Sequence, residues 1–101
     1  MSVRVVEHWQ YEIGGGLTDP KHYDENSVLT LVTLLSDEKD LTGGVFRTLE
    51  ADGTHLEHPM KRGDAICFVS HKYHNVTPVT RGSRTSLVIE LWQGTNSEGG
   101  R

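Results

Sequence analysis

Ser27-Val28-Leu29-Thr30-Leu31-Val32-Thr33-Leu34-Leu35-Ser36 decides the fold class of this chain. The run is aliphatic and β-branched, shows no helical spacing, and stops at the charged turn Asp37-Glu38-Lys39-Asp40. As a strand it sends Val28, Val32 and Leu34 to one face and Leu29, Leu31 and Leu35 to the other. Residues 84–92 behave alike, with Val88 and Trp92 on one face and Leu87, Ile89 and Leu91 on the other. A strand open to water on one side alternates apolar with polar residues. These two do not, so both of their faces want cover.

Outward from this run, short β-rich segments alternate with Gly, Pro, Asn and Asp breaks. Strands are predicted at 3–11, 21–24, 27–36, 44–49, 54–60, 64–70, 75–80 and 84–92. The clearest breaks are Gly14-Gly15-Gly16, Ala51-Asp52-Gly53 and Arg81-Gly82. About eight strands with tight connections and no helical segment predict an all-β fold, closed as a sandwich or barrel. Residues 94–101 are rich in Gly, Ser, Asn and Thr and are expected to form a flexible tail, leaving 1–93 as one domain.

Composition excludes several classes. With 35% hydrophobic and 24% charged residues the chain is globular, not disordered. The net charge of -4 and the scattered basic residues argue against nucleic acid as a partner; the one tight basic pair, Lys61-Arg62, reads as a solvated turn. Cys67 is the single cysteine, so no disulfide forms within the chain, and its apolar neighbours predict a buried small hydrophobe in a reducing compartment. The N-terminus has no signal-peptide core, and no apolar run approaches the roughly 20 residues of a membrane span. The expectation is a soluble cytoplasmic protein with no membrane partner.

The chemistry lies in the histidines. His22-Tyr23-Asp24 puts an imidazole and a carboxylate two residues apart, on one side of an extended segment. A third ligand from a distant strand would complete two histidines and one carboxylate on an octahedral face, the set that suits non-haem Fe(II). Structural zinc prefers a closed tetrahedral set with more sulfur, and Cys67 is poorly placed for it. His71 and His74 are the two candidates for the third position. His55 and His58 are expected at the surface, His8 towards a cavity or solvent, and Trp9 and Trp92 in packing.

Residues 71–86 carry a family resemblance. His74, then Val76-Thr77-Pro78-Val79, Gly82 and Arg84, resemble in order and spacing the distal half of the prolyl-4-hydroxylase-like branch of the Fe(II)/2-oxoglutarate dioxygenases. Gly43-Gly44-Val45-Phe46 and Gly63-Asp64-Ala65-Ile66-Cys67-Phe68 are similar to that branch's upstream strand entries. The resemblance spans about residues 5–92. It implies a double-stranded β-helix of the jelly-roll or cupin kind, with two antiparallel sheets. It implies Fe(II) held by His22, Asp24 and His74, and 2-oxoglutarate anchored by Arg84 with Ser86 and Tyr11. It also implies O2 as co-reactant, with ascorbate a candidate addition.

The activity implied is hydroxylation of an unactivated C–H bond on a peptide or small-molecule substrate, such as a prolyl or other amino-acid side chain. 2-Oxoglutarate and O2 become succinate and CO2. Relatives carry helices before this core, on the back of the larger sheet, whereas this chain starts at the first core strand. The face of Leu29, Leu31, Leu87 and Ile89, or the opposite register, is therefore expected to be covered by a second copy or by a missing N-terminal segment. Two other readings compete: a cupin-like metal-binding domain, which gives Arg84 and Ser86 no task, and a non-catalytic interaction scaffold.

Overall fold

The computed structural model describes residues 1–94. The predicted tail lies outside the described residues beyond Gly94. The chain is all-β: β1 (Ser2–Tyr11), β2 (Leu17–His22), β3 (Leu29–Leu34), β4 (Thr42–Gly43), β5 (Phe46–Leu49), β6 (His55–His58), β7 (Ala65–Val69), β8 (His74–Val76), β9 (Val79–Arg81) and β10 (Arg84–Trp92). A 3-10 turn at Glu38–Asp40 follows β3, its N-terminus capped by the Asp37 carboxylate. A four-stranded sheet of order β1-β10-β3-β7 faces a second of order β2-β8-β5-β6, and β4-β9 form a short third ladder. Every strand pairing is antiparallel. The β1-β10-β3-β7 order joins distant strands, which gives the jelly-roll form.

The ten strands differ from the predicted eight for local reasons. Residues 75–80 divide into β8 and β9, which belong to different sheets, because Pro78 has no N–H to continue a ladder. The corner is tied by Thr77 N–H to the Val45 carbonyl (3.0 Å) and Gly44 N–H to the Pro78 carbonyl (3.2 Å). The second strand lies at Leu17–His22, ahead of the predicted 21–24, so Asp24 sits just past its end.

Between the sheets the apolar core is small. Val32, Phe46 and Val76 are buried together, with Leu17, Ile66, Phe68 and Val88 packed on them. Among the described residues ten polar or charged side chains are buried against five apolar ones, so the interior is lined largely by polar groups that need partners. Along β3 the residues Thr30, Val32 and Leu34 point inward, and along β10 Arg84, Ser86, Val88 and Glu90 do.

The outer face of the larger sheet takes the register with Leu29, Leu31, Leu87 and Ile89 outward. Strand register aligns Val3, Leu91, Leu29 and Val69 in one row and Val6, Ile89, Leu31 and Cys67 in the next. Val6 and Val69 are 59% and 61% exposed, and no described element lies over them. Cys67 is exposed in this row, not buried as predicted. Its apolar neighbours in sequence belong to an uncovered sheet face, where an apolar run does not mean burial.

Candidate active site

β2 and β8 bring His22 and His74 together: the two residues are direct register partners. Asp24 follows β2 in a short turn, where Ser27 N–H meets the Asp24 carbonyl at 3.4 Å and Asn26 takes the left-handed conformation that asparagine tolerates (φ 71°). His22 Nε2 lies 3.2 Å from Asp24 Oδ1, and His74 Nε2 lies 3.6 Å from the same oxygen. The three donor atoms fall within 4.8 Å of one another. Bonds of about 2.1 Å at right angles separate adjacent ligands by about 3 Å, so this set fits one ion. His71 is exposed and stacks edge-on against Tyr23, apart from the cluster.

Two of the three donors, His74 and Asp24, are oriented by hydrogen bonds from outside the cluster. His74 Nδ1 donates to the Lys72 carbonyl (2.8 Å), since a carbonyl can only accept, and Nε2 therefore presents its lone pair to Asp24 and His22. Burial lowers the His74 pKa, the Lys72 carbonyl and Asp24 partly oppose this, and the neutral ligand form is favoured. Phe46 and Phe68 flank the ring at centroid distances of 5.7 and 4.8 Å. Thr30 donates to Asp24 Oδ2 (2.7 Å) and so accepts from Ser70 (2.8 Å). Neither hydroxyl was identified as a site residue. The available signal for Thr30 is a threonine on the strand face it shares with Val32 and Leu34.

The same cavity, of about 200 Å³, extends from this cluster to Arg84. Arg84 is 2% exposed, and among the described residues no carboxylate forms an ion pair with it. Its Nη1 donates to Ser86 Oγ (3.3 Å), and Tyr11 is its register partner across β1 and β10. Burial lowers the Arg84 pKa, an effect Tyr11 partly offsets. Burial also raises the Tyr11 pKa against the pull of Arg84, so the phenol keeps its proton as a donor. A buried guanidinium beside two hydroxyls is the chemistry of a carboxylate clamp. Val32, Phe46 and Val88 wall the space between the two ends.

Other expectations shift. His58 is part-buried inside the sandwich, 2.8 Å from Thr48 Oγ1 and 5.8 Å from the Phe46 ring, instead of at the surface. His55 is likewise half-buried. His8 faces solvent on the outer side of β1. Trp9 stacks on Tyr11 at 6.1 Å, as a packing residue does, but also lines the cavity and is 42% exposed, while Trp92 is half-buried under the Arg4 guanidinium at 6.0 Å. Glu90, not singled out by the sequence, is 1% exposed, accepts from Ser27 (2.6 Å) and lies 3.6 Å from Arg4.

The family model described as the 2OG-Fe(II) oxygenase superfamily matches residues 6–93. A PKHD-type hydroxylase of Azoarcus sp. (strain BH72) is 36% identical over 61 residues, 60% of this chain and 26% of that protein. Among solved structures, an oxidoreductase of the 2OG-Fe(II) oxygenase family from Burkholderia pseudomallei superposes with a TM-score of 0.82 at 17% identity, covering 98% of this chain and 46% of that one. A Pseudomonas putida prolyl-4-hydroxylase superposes with a TM-score of 0.73 at 21% identity, covering 88% and 52%. A cupin domain from Bordetella pertussis shares the fold more loosely, with a TM-score of 0.56 at 18% identity, over 87% of this chain and 86% of that one. The chain thus spans about a quarter of the curated relative and about half of each oxygenase structure.

Proposed function

This chain belongs to the 2OG-Fe(II) oxygenase superfamily, and from that membership we propose that it is an Fe(II)- and 2-oxoglutarate-dependent hydroxylase of an unactivated C–H bond. One observation carries the reading: a single cavity has three metal-type donors within 4.8 Å of one another at one end and the buried Arg84 at the other. His22, Asp24 and His74 would hold the iron, two imidazoles and one carboxylate being the donor set that suits a non-haem Fe(II) centre with room for further ligands. Bound there, Fe(II) supplies the O2 activation that turns 2-oxoglutarate into succinate and CO2 and oxidises the substrate.

The protein's own part is positioning. Arg84 would take the distal carboxylate of 2-oxoglutarate, with Ser86 and the protonated Tyr11 as hydroxyl donors. Thr30 and the Lys72 carbonyl hold Asp24 and His74 in place. The substrate is proposed to be a peptide or small molecule, with an amino-acid side chain as the oxidised group; the hydroxylase and prolyl-4-hydroxylase names of similar proteins support this class. Ascorbate is a further candidate, tested by its effect on sustained turnover. A reducing, cytoplasmic setting is part of the proposal and rests on the unpaired Cys67. Among the described residues no helix is long and apolar enough to cross a membrane.

The outer apolar rows are proposed to be covered by a second copy of this chain. Their aligned, uncharged side chains offer a flat surface that can meet its own kind.

The test is an anaerobic titration of the metal-free protein with Fe(II) and then 2-oxoglutarate, following the visible metal-to-ligand charge-transfer band. The band is expected in the parent, absent in His74→Ala, and to need at least about ten-fold more cosubstrate in Arg84→Ala. Iron binding without a band would favour the cupin-like reading. No iron binding would favour the scaffold.

A further inference from the structure

We propose that Glu50 and the Lys72 side chain are positioning residues for the metal donors: their ion pair ties down the turn between β7 and β8, whose backbone orients both Asp24 and His74. The inference rests on the reading of His22, Asp24 and His74 as a metal centre, and it gives a task to two residues that do not line the cavity. It starts from the turn itself. Residues 70–73 join β7 to β8 and direct two carbonyls at the site. The Ser70 carbonyl accepts the Asp24 N–H (2.8 Å), and the Lys72 carbonyl accepts from His74 Nδ1 (2.8 Å). A shift of this turn would move two of the three donors together.

Strand register puts an anchor beside the turn. Thr48 on β5 is the partner of His74 on β8, and the next residue, Leu49, donates its N–H to the Tyr73 carbonyl (3.0 Å). Glu50 then leaves β5 with its carboxylate on the turn: Oε2 lies 2.9 Å from Lys72 Nζ. The same oxygen accepts from Thr48 Oγ1 (2.9 Å). A carboxylate only accepts, so the Thr48 hydrogen goes to Glu50, and His58 Nε2–H donates to the Thr48 oxygen (2.8 Å). Thr48 is 4% exposed, so the carboxylate is aimed by a buried hydroxyl that is itself held from behind. The hydrogen bonds from Lys72 and Thr48 lower the Glu50 pKa and keep it ionised.

Lys72 thus joins two tasks in one residue. Its carbonyl holds His74, and its ammonium holds Glu50. Both charged side chains are about a third exposed, and an ion pair of that kind adds little to global stability. Its effect is local. A carbonyl that drifts from His74 Nδ1 lets the ring rotate or take the other tautomer, and the Nε2 lone pair is then lost to the metal. Positioning and simple charge predict different signs. An ammonium repels a dication and a carboxylate attracts one. By charge alone, neutralising Lys72 would tighten metal binding and neutralising Glu50 would weaken it. By positioning, both changes weaken it.

The test is an anaerobic Fe(II) titration of the metal-free protein, with thermal melts alongside, for the parent, Lys72→Met, Glu50→Gln, their double variant and Lys72→Arg. Each single neutral variant is expected to bind Fe(II) about three- to five-fold more weakly than the parent, with melting close to the parent's. The double variant is expected to lose no more than either single one, because the pair acts as a unit. Lys72→Arg keeps the charge and the reach and is expected to recover most of the loss. Unchanged or tighter binding in Lys72→Met, losses that add in the double variant, or a loss that Lys72→Arg does not recover would each overturn the proposal. No Fe(II) binding by the parent would overturn the metal reading and the inference with it. Parent binding with unaltered variants would overturn the inference alone.

Discussion

Thr30 shows how much of the site depends on one hydroxyl. Its 2.7 Å bond to Asp24 Oδ2 turns Oδ1 towards both histidines, and Ser70 completes the chain from behind. Both hydroxyl residues are at most 1% exposed, so neither has water as a substitute partner. Thr30→Val keeps the shape and removes the donor. It is expected to weaken Fe(II) binding by about 10- to 100-fold, with the fold retained. Thr30→Ser is expected to recover most of the loss. Metal titration alongside circular dichroism checks both; equal affinity in Thr30→Val and parent would mean that Asp24 orients itself.

At the scale of the element, the β4–β9 corner shapes the Arg84 end of the cavity. Gly44 has φ 60°, and a methyl group there would sit 3.1 Å from Arg84 Cδ and 3.2 Å from Val79 Cγ2. The glycine is needed for the left-handed turn and for the space that the guanidinium stem fills. Gly44→Ala is expected to cost about 1–2 kcal/mol of stability through its backbone alone. By pushing Arg84 it should also raise the 2-oxoglutarate requirement about ten-fold. Fe(II) binding at the far end of the cavity should stay near the parent value. A change in Fe(II) affinity as large as that for 2-oxoglutarate would indicate general loosening instead of a displaced clamp.

For the whole molecule, the open side of the larger sheet dominates. Ile89 sits at the centre of the row Val6, Ile89, Leu31 and Cys67, beside the row Val3, Leu91, Leu29 and Val69, and none of these eight residues is charged. Self-association through this face is expected at micromolar concentration. Ile89→Lys should weaken it at least ten-fold, because a charge buried in an apolar contact has no partner. Sedimentation across a concentration series decides. A parent that stays monomeric throughout would mean that the face is not a surface for a second copy.

Much of this was legible in the chain itself. Two-sided apolar strands at 27–36 and 84–92, with Gly and Pro breaks between short runs, determine an all-β sandwich because strand period and turn chemistry are local properties. His22, Asp24, His74 and Arg84 were legible through the spacing of a familiar pattern, and Leu29, Leu31, Leu87 and Ile89 through their lack of alternation. Tertiary structure decided what depends on residues far apart in sequence. The pairing of β3 with β7 put Cys67 on the open face, where its apolar neighbours do not bury it. The facing of the two sheets put His58 inside, and the turn after β2 brought Asp24 under Thr30. The pairing of β1 with β10 lined Tyr11, Trp9 and Glu7 along one wall. Sequence period assigns a side chain to one of two faces, but which face meets the interior, and what stands opposite, is set only when the sheets close.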